Sequence, residues 1–421
     1  MKTPLEHFKN FSKTPRCSFN ATPMFEYIVA FAKNLGFEVK TDKTKNILCT
    51  KNKPVLCLQS HYDMVCLGDA PEVDTYIEDG WLKAKNSTLG ADNGMGIAIM
   101  FSMMEKFDNV ECLFTSDEEV GLIGANNLEL ALNAPYLLNL DSEEEGAIII
   151  GCAGGINIFG ELALSKKTIN KDWKTFEVSI SGLAGGHSGI QIADNIPNAI
   201  KVLVRELVSN ECEFIDFSGG EVSNSIPKSA KAKILAPKDF KVKNKALHVK
   251  ELKDENREVL VETKQILGFM NSFAQGVRAF NKELGMPEDS INMGTVKIQN
   301  DKLIIDCFGR SMSEDGIERL KSETTSLLKG FGFSVTTKDR ATPWKPVISE
   351  FTNIIKDVSI KYFKDVKVEG IHAGLECGII QSKQKKHIDV ASIGPNIKMR
   401  IRLKSAAKLN RWNVYLWLLK S

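Results

Sequence analysis

Helix-spaced apolar positions come first along the chain. Between residues 22 and 35, Met24, Tyr27, Ile28, Ala30, Phe31 and Leu35 recur at intervals that put them on one side of an amphipathic helix. Two short apolar runs follow, near 46–50 and 55–60, and their length predicts strands. Gly90-Ala-Asp-Asn-Gly94 predicts a turn that opens a helix from Met95 to about Phe107. Helix and strand then alternate to about residue 165, which is α/β character. The texture changes near Trp173, where Thr175-Phe-Glu-Val-Ser-Ile-Ser181 alternates as a half-buried strand does. A glycine-rich loop follows at 182–189, then a helix starting near Asn195 with Pro197 in its first turn. Strands at 212–217, 231–236, 291–298 and 302–309 and helices at about 260–284 and 314–329 complete a less regular α+β stretch. Past Pro346 the α/β pattern returns, with a helix at 348–361 and a strand at 388–392. The expectation is one domain inserted into another: residues 1–172 and 346–421 form an α/β domain with a mixed central sheet flanked by helices, and 173–345 form an α+β insert.

Length agrees with that division, because 421 residues are many for a single core. The 55 basic residues nearly cancel the 53 acidic ones, leaving a net charge of +2, which argues against a dedicated nucleic-acid binder. Nine cysteines, odd in number and never spaced C-x-x-C, read as reduced thiols of a cytoplasmic protein. The first ten residues carry charges where a secretory leader needs an apolar run, and no stretch approaches the ~18 apolar residues of a membrane span. A soluble protein with neither membrane nor nucleic acid as partner is expected.

Candidate chemistry concentrates in one segment. His61, Asp63, Asp92, Glu118, Glu119 and Asp141 fall within 81 residues, and most lie where an apolar run ends. Ligands of open α/β sheets bind outside the carboxyl ends of the strands. Singly, His61-x-Asp63 reads as a surface pair, Asp92 as a turn or cap residue, and Glu118-Glu119 and Asp141 as solvated charge. Together, so many acidic groups at neighbouring strand ends call for a cation. Imidazole and carboxylate ligands suit zinc, with manganese or cobalt as alternatives. Two metals need a bridging carboxylate, and a carboxylate off the metal can serve as general base. Asp63 is suited to hold the imidazole of His61.

The strings Ser60-His-Tyr-Asp-Met-Val65, Leu89-Gly-Ala-Asp-Asn-Gly94, Thr115-Ser-Asp-Glu-Glu-Val-Gly121 and Leu138-Asn-Leu-Asp141 resemble the co-catalytic zinc peptidases, a clan of carboxypeptidases, tripeptidases and dipeptidases. Gly182-Leu-Ala-Gly-Gly-His-Ser-Gly189 and Ile371-His-Ala-Gly-Leu-Glu-Cys-Gly378 narrow the likeness to the bacterial aminoacyl-histidine (Xaa-His) dipeptidases, over residues 1–397. The resemblance implies a catalytic domain with an inserted lid, a homodimer formed through that lid, and hydrolysis of short peptides, preferentially Xaa-His, by a metal-bridged water. It implies that His61 and Asp141 hold one metal, Asp92 bridges, Glu119 holds the second, Glu118 is the general base and Asp63 orients His61. It also implies a cis peptide after Asp92 and a lid histidine, His187, that meets the substrate carbonyl or its oxyanion. Asn292 and Arg310 are the expected binders of the substrate's terminal carboxylate. A tripeptidase or N-acyl amino-acid deacylase of the same clan is the alternative. A catalytically inactive homologue that binds rather than cleaves is the alternative from another class.

The chain departs from this pattern at its end. The family carries a further metal-ligand histidine in a string like Gly-Pro-x-Ile-x-x-x-His-Ser-Pro-x-Glu, and here Gly394-Pro-Asn-Ile397 is followed by no histidine at all. A basic amphipathic helix and ordinary terminal divergence are two readings of the tail. The favoured one is a one-base deletion in an adenine run. Codons AAA ATG CGC ATT CGC CTA AAG AGC encode the eight residues from Lys398 to Ser405, and restoring one A yields Lys-Asn-Ala-His-Ser-Pro-Lys-Glu, the family string. Without that histidine the second metal keeps only Asp92 and Glu119 and is expected to bind weakly. His372 and His387 are the substitutes the chain offers.

Overall fold

The computed structural model describes residues 2–253, 257–398 and 406–408. It has an α/β architecture with two compact units. One contains the residues up to Cys152, Trp344–Gly370, and those from Leu375 on; the other contains Ala153–Pro343 and Ile371–Gly374.

In the first unit a mixed eight-stranded sheet runs in the order Glu38–Thr41, Ile47–Thr50, Val110–Thr115, Leu56–His61, Tyr136–Asn139, Asp389–Ser392, Ala147–Cys152 and Lys367–Ile371. Its centre is parallel: Leu56–His61 pairs in parallel with both Val110–Thr115 and Tyr136–Asn139, and the latter with Asp389–Ser392. All six residues of Val110–Thr115 are buried, as expected of a strand covered on both faces. The helix Ala91–Lys106 packs on this sheet, with every residue from Asn93 to Met104 buried. Thr22–Asn34 is the predicted amphipathic helix, but its buried stripe is Met24, Ile28 and Ala32, spaced by four, and Ala30 is exposed.

In the second unit a nine-stranded antiparallel sheet carries the helices Ala199–Leu207, Thr263–Ser272 and Glu314–Gly330, which join its apolar core. Gly154–Ala163 already pairs with Lys302–Ser311 and Ser334–Ala341, so the chain enters this sheet ahead of the change in texture at Trp173. Two local expectations are corrected here. The stretch 260–284 is not one helix: it is helical only over Thr263–Ser272, and Gly276–Asn281 is a strand paired with Met286–Gln299. Gly276 adopts φ +105°, outside any helix, and starts that strand. The helix after Pro197 begins later than expected, because Asn198 caps it, accepting from the Ile200 and Lys201 amides.

The cysteines also differ from expectation. Cys17 and Cys66 form a disulfide, and the other seven are free. They lie 49 residues apart and meet only because residues 16–18 run beside Met64, a pairing that no sequence spacing announces. No described helix is long and apolar enough to cross a membrane.

Candidate metal centre

The carboxyl ends of three parallel strands meet at one edge of the first unit's sheet. His61 closes Leu56–His61 and is in register with Thr115, the last residue of its neighbour. Gln59 is in register with Asn139 on the other side. Glu118, Glu119 and Asp141 follow immediately after these ends. Asp92 comes from the first turn of Ala91–Lys106, where Asp92 and Asn93 depart from helical geometry and their peptide bond is cis, as the resemblance implies.

These residues converge on the His61 imidazole, whose side chain is 0% exposed. Its Nε2 lies 3.0 Å from Asp92 Oδ1, 3.6 Å from Asp141 Oδ1 and 3.9 Å from Glu118 Oε2. Its Nδ1 lies 3.1 Å from Asp63 Oδ1. With Nδ1–H donating to Asp63, Nε2 is left with its electron pair free for a cation lying among the carboxylates. Among the described residues two groups can hold a metal ion: His61, Asp92 and Asp141; and His61, Glu118 and Glu119. The second differs from the expected set, because it draws on His61 again and on Glu118.

Asp63 does more than face the imidazole. Its carboxylate also accepts from Ser18 Oγ (2.8 Å), the Glu118 amide (3.0 Å) and the Glu119 amide (3.3 Å). Burial raises the pKa of Asp63, but its bonds with His61, Ser18 and the Glu118 amide outweigh this and hold it below the usual carboxylate range. Burial pushes Glu118 and Asp141 well above that range; His61 opposes the rise and neighbouring carboxylates add to it. Burial resists protonation of His61, yet Asp141, Asp63, Asp92 and Glu118 together raise its pKa well above the ordinary value. Acids held up by burial and an imidazole made basic by acids are the electrostatics of a site suited to a cation. The imidazole and carboxylate donors fit a divalent metal such as zinc.

The N-terminal strap was missed by sequence reasoning, because a lone arginine in a loop carries no periodic signal. Arg16 is buried, donates to the backbone carbonyls of Asp63 (3.2 Å) and Gly90, and lies over the Phe11 ring. Gly90, with φ +65°, suits glycine, and a Cβ there would press on the Arg16 guanidinium and the Met64 sulfur. Burial lowers the Arg16 pKa to about 10, partly offset by Asp63, Asp92 and Glu119, so Arg16 stays charged behind the acidic cluster. The Phe19 amide donates to Asp117 at 2.6 Å, and the Cys17–Cys66 disulfide fixes the segment between.

The lid residues gather within the second unit. A Cβ at Gly189 would meet the His372 carbonyl at 2.3 Å, Arg310 Nε at 3.0 Å and His187 Cε1 at 3.1 Å, so these three groups share one spot. His187 Nδ1 accepts from the Gly189 and Ile190 amides, which puts the proton of the neutral ring on Nε2. Arg310 is nearly buried and stacks on Phe308 at 4.5 Å. Asn292 sits in the same sheet, but both its amide hydrogens go to the carbonyls of Ser223 and Ser225. Neither substitute histidine belongs to the metal-capable groups among the described residues. His372 Nε2 lies 2.7 Å from Ser290 Oγ within the lid unit. His387 is 82% exposed, pairs with Asp389, and precedes a strand whose far end faces Asn139. The tail from Met399, apart from Ala406–Lys408, lies outside the described residues, so its reading is not tested by the fold.

Comparison with known proteins is consistent with this site. Residues 45–152 match the profile of peptidase family M28. The chain is 33% identical to the cytosol non-specific dipeptidase of Escherichia coli (strain K12), over 93% of this chain and 90% of that one. The aminoacylhistidine dipeptidase from Vibrio alginolyticus is 27% identical and superposes with a TM-score of 0.79, covering 99% of this chain and 96% of the other. A tripeptidase from Staphylococcus aureus shares the fold, with a TM-score of 0.60 at 15% identity over 99% and 96% of the two chains.

Proposed function

This chain belongs to the family of the cytosol non-specific dipeptidase, and on that premise we propose that it is a metal-dependent dipeptidase acting on short unblocked peptides, Xaa-His above all. The observation that carries the reading is the Asp63 carboxylate, which holds the His61 imidazole and the Glu118 and Glu119 amides at once. His61 and Asp141 would hold one divalent ion, Asp92 would be shared with a second, and Glu119 would complete that second site; zinc suits the donors best, with manganese or cobalt as alternatives. When bound, such ions polarise the scissile carbonyl and make water acidic near neutral pH.

Around that chemistry the chain's own groups divide the work. Glu118, acting as the carboxylate, takes the proton of the attacking water and passes it to the leaving amine. His187, with its proton on Nε2, donates to the oxygen that gains charge. Arg310 meets the substrate carboxylate with its planar fork, while Asn292 braces the turn at 223–225. A cytoplasmic location and a homodimer through the lid belong to the same reading, the first supported by the name of the Escherichia coli relative.

Turnover of an Xaa-His dipeptide, beside a panel of other dipeptides, tripeptides and N-acyl amino acids, tests this. Faster cleavage of a tripeptide or an acylated amino acid refutes the substrate class. One observation supports a second reading, an inactive homologue that binds peptides: no histidine follows His387. Sequencing the gene across the codons after Ile397 separates them. A frame whose codons cannot yield the histidine, in a chain that neither binds zinc nor turns over, sinks the enzyme reading.

A further inference from the structure

Glu376 lies in the string Ile371-His-Ala-Gly-Leu-Glu-Cys-Gly378, which the proposed chemistry leaves without a role. It is 0% exposed and is the first residue of the helix Glu376–Lys383. Its Oε2 accepts from Gln59 Nε2 and from Thr115 Oγ1, both at 2.6 Å. The other hydrogen of the Gln59 amide goes to Thr115 Oγ1 at 3.1 Å. Gln59 Oε1 accepts from Asn139 Nδ2 at 2.6 Å. Asn139 Oδ1 in turn accepts from the Asp141 amide at 3.1 Å and from Ser392 Oγ. Strand alternation puts Gln59 on the same sheet face as His61, so this buried chain runs one layer beneath the ligand residues.

The direction of the chain follows from its end. Glu376 Oε2 takes the Thr115 hydroxyl hydrogen and, as a carboxylate oxygen, accepts, so Gln59 turns its amide nitrogen toward it. The Gln59 oxygen then faces Asn139, Asn139 presents its nitrogen, and its oxygen is left for the Asp141 N–H. Were Gln59 flipped, oxygen would face oxygen at Glu376 and nitrogen would face nitrogen at Asn139. Flipping Asn139 as well would set its amide against the Asp141 N–H. Each mismatch leaves a buried polar group without a partner, in a region where water is excluded.

We propose that Glu376 is a positioning residue: it fixes the hydrogen-bond polarity of the Gln59–Asn139 chain and thereby the backbone that aims the Asp141 carboxylate at the metal. The proposal rests on the reading of His61, Asp92 and Asp141 as ligands. It assigns no contact with substrate to Glu376.

Glu376→Gln keeps the shape and removes the fixed acceptor, so either end of the new amide can face Gln59. Zinc affinity is measured by competition with a chromophoric chelator, alongside circular dichroism, kcat and KM. Glu376→Gln is expected to bind zinc about tenfold more weakly, the scale seen when supporting partners of metal ligands are lost, with kcat reduced and KM nearly unchanged. The swap Gln59→Glu with Glu376→Gln restores a carboxylate that accepts from Asn139, and is expected to recover most of the lost affinity. A merely structural role predicts instead unchanged zinc affinity in both variants, since removing a buried charge does not itself touch the ligands. Unchanged affinity in Glu376→Gln, or no recovery in the swap, overturns the proposal. If Glu376→Gln fails to fold, Asn139→Ala cuts the chain at its other end; it gives the same loss if the chain positions Asp141, and an unchanged affinity overturns the idea. Wild-type protein that takes up no zinc overturns the ligand reading itself, which is a different result from a variant that matches a zinc-binding wild type.

Discussion

Asp63→Asn is the most searching perturbation of the proposed centre, because it changes one atom at the point where four donors meet. In the best orientation the remaining oxygen keeps His61 Nδ1 and the Glu118 amide, which both bond Oδ1. The new amide nitrogen then takes the place of Oδ2, facing Ser18 Oγ and the Glu119 amide. The Ser18 hydroxyl can turn and accept, but the Glu119 N–H faces a second donor. One hydrogen bond to a charged group is therefore lost outright, about 1.5–3 kcal/mol of stability. The imidazole also loses its anionic partner, so Nε2 becomes a poorer ligand. Supporting carboxylates of this kind are worth about 10–100-fold in metal affinity. Zinc competition against a chelator should show that loss in a variant whose circular dichroism is unchanged. The loss in kcat/KM should persist when zinc is saturating, because Glu118 and Glu119 hang from the same carboxylate. A folded Asp63→Asn protein with zinc affinity within about threefold of wild type would refute the hub argument.

Glu118→Gln should lower kcat about 10²–10⁴-fold while leaving zinc uptake unchanged; loss of zinc from this variant would make Glu118 a ligand instead, the role open to it in its group with His61 and Glu119. His372, held to a pKa of about 4 by burial and by Arg310, binds its proton more weakly folded than unfolded. Its contribution is complete above about pH 6.5 and is lost as pH falls toward 4, on the order of 3 kcal/mol. Denaturant titrations should show His372→Gln losing less stability than wild type over that interval, and parallel curves would refute it. Under denaturing, non-reducing conditions seven thiols should titrate, corresponding to the free cysteines, and a count of nine would mean that Cys17 and Cys66 are reduced in the isolated protein.

The candidate ligand residues were legible because they sit at strand ends, and buried runs such as Val110–Thr115 announce both the strand and the edge where it stops. The antiparallel insert was legible through alternation, as at Trp173–Ile180. Illegible were features made by distant segments. Arg16, Ser18 and Cys17 reach the site from a loop with no periodicity, and their partners Asp63, Gly90 and Cys66 become neighbours only on folding. Helical spacing over 260–284 hid a strand, which starts at Gly276 with a φ of +105° that no helix contains. Glu376 was visible as part of a motif, but its role depends on a register that joins Gln59 to Asn139.

The unequal provision for two metals follows from these contacts. His61 Nε2 can serve one ion, and its nearest carboxylates are Asp92 at 3.0 Å and Asp141 at 3.6 Å, a set that needs nothing from the tail. The other group would claim the same imidazole, and with it Glu118, the carboxylate proposed for proton transfer. A second ion held that way would compete with the first for His61 and occupy the base. A histidine from elsewhere removes both conflicts, since it frees His61 for the first ion and Glu118 for the proton. That is the physical reason a family string carrying such a histidine matters, and why the codons after Ile397 bear on function.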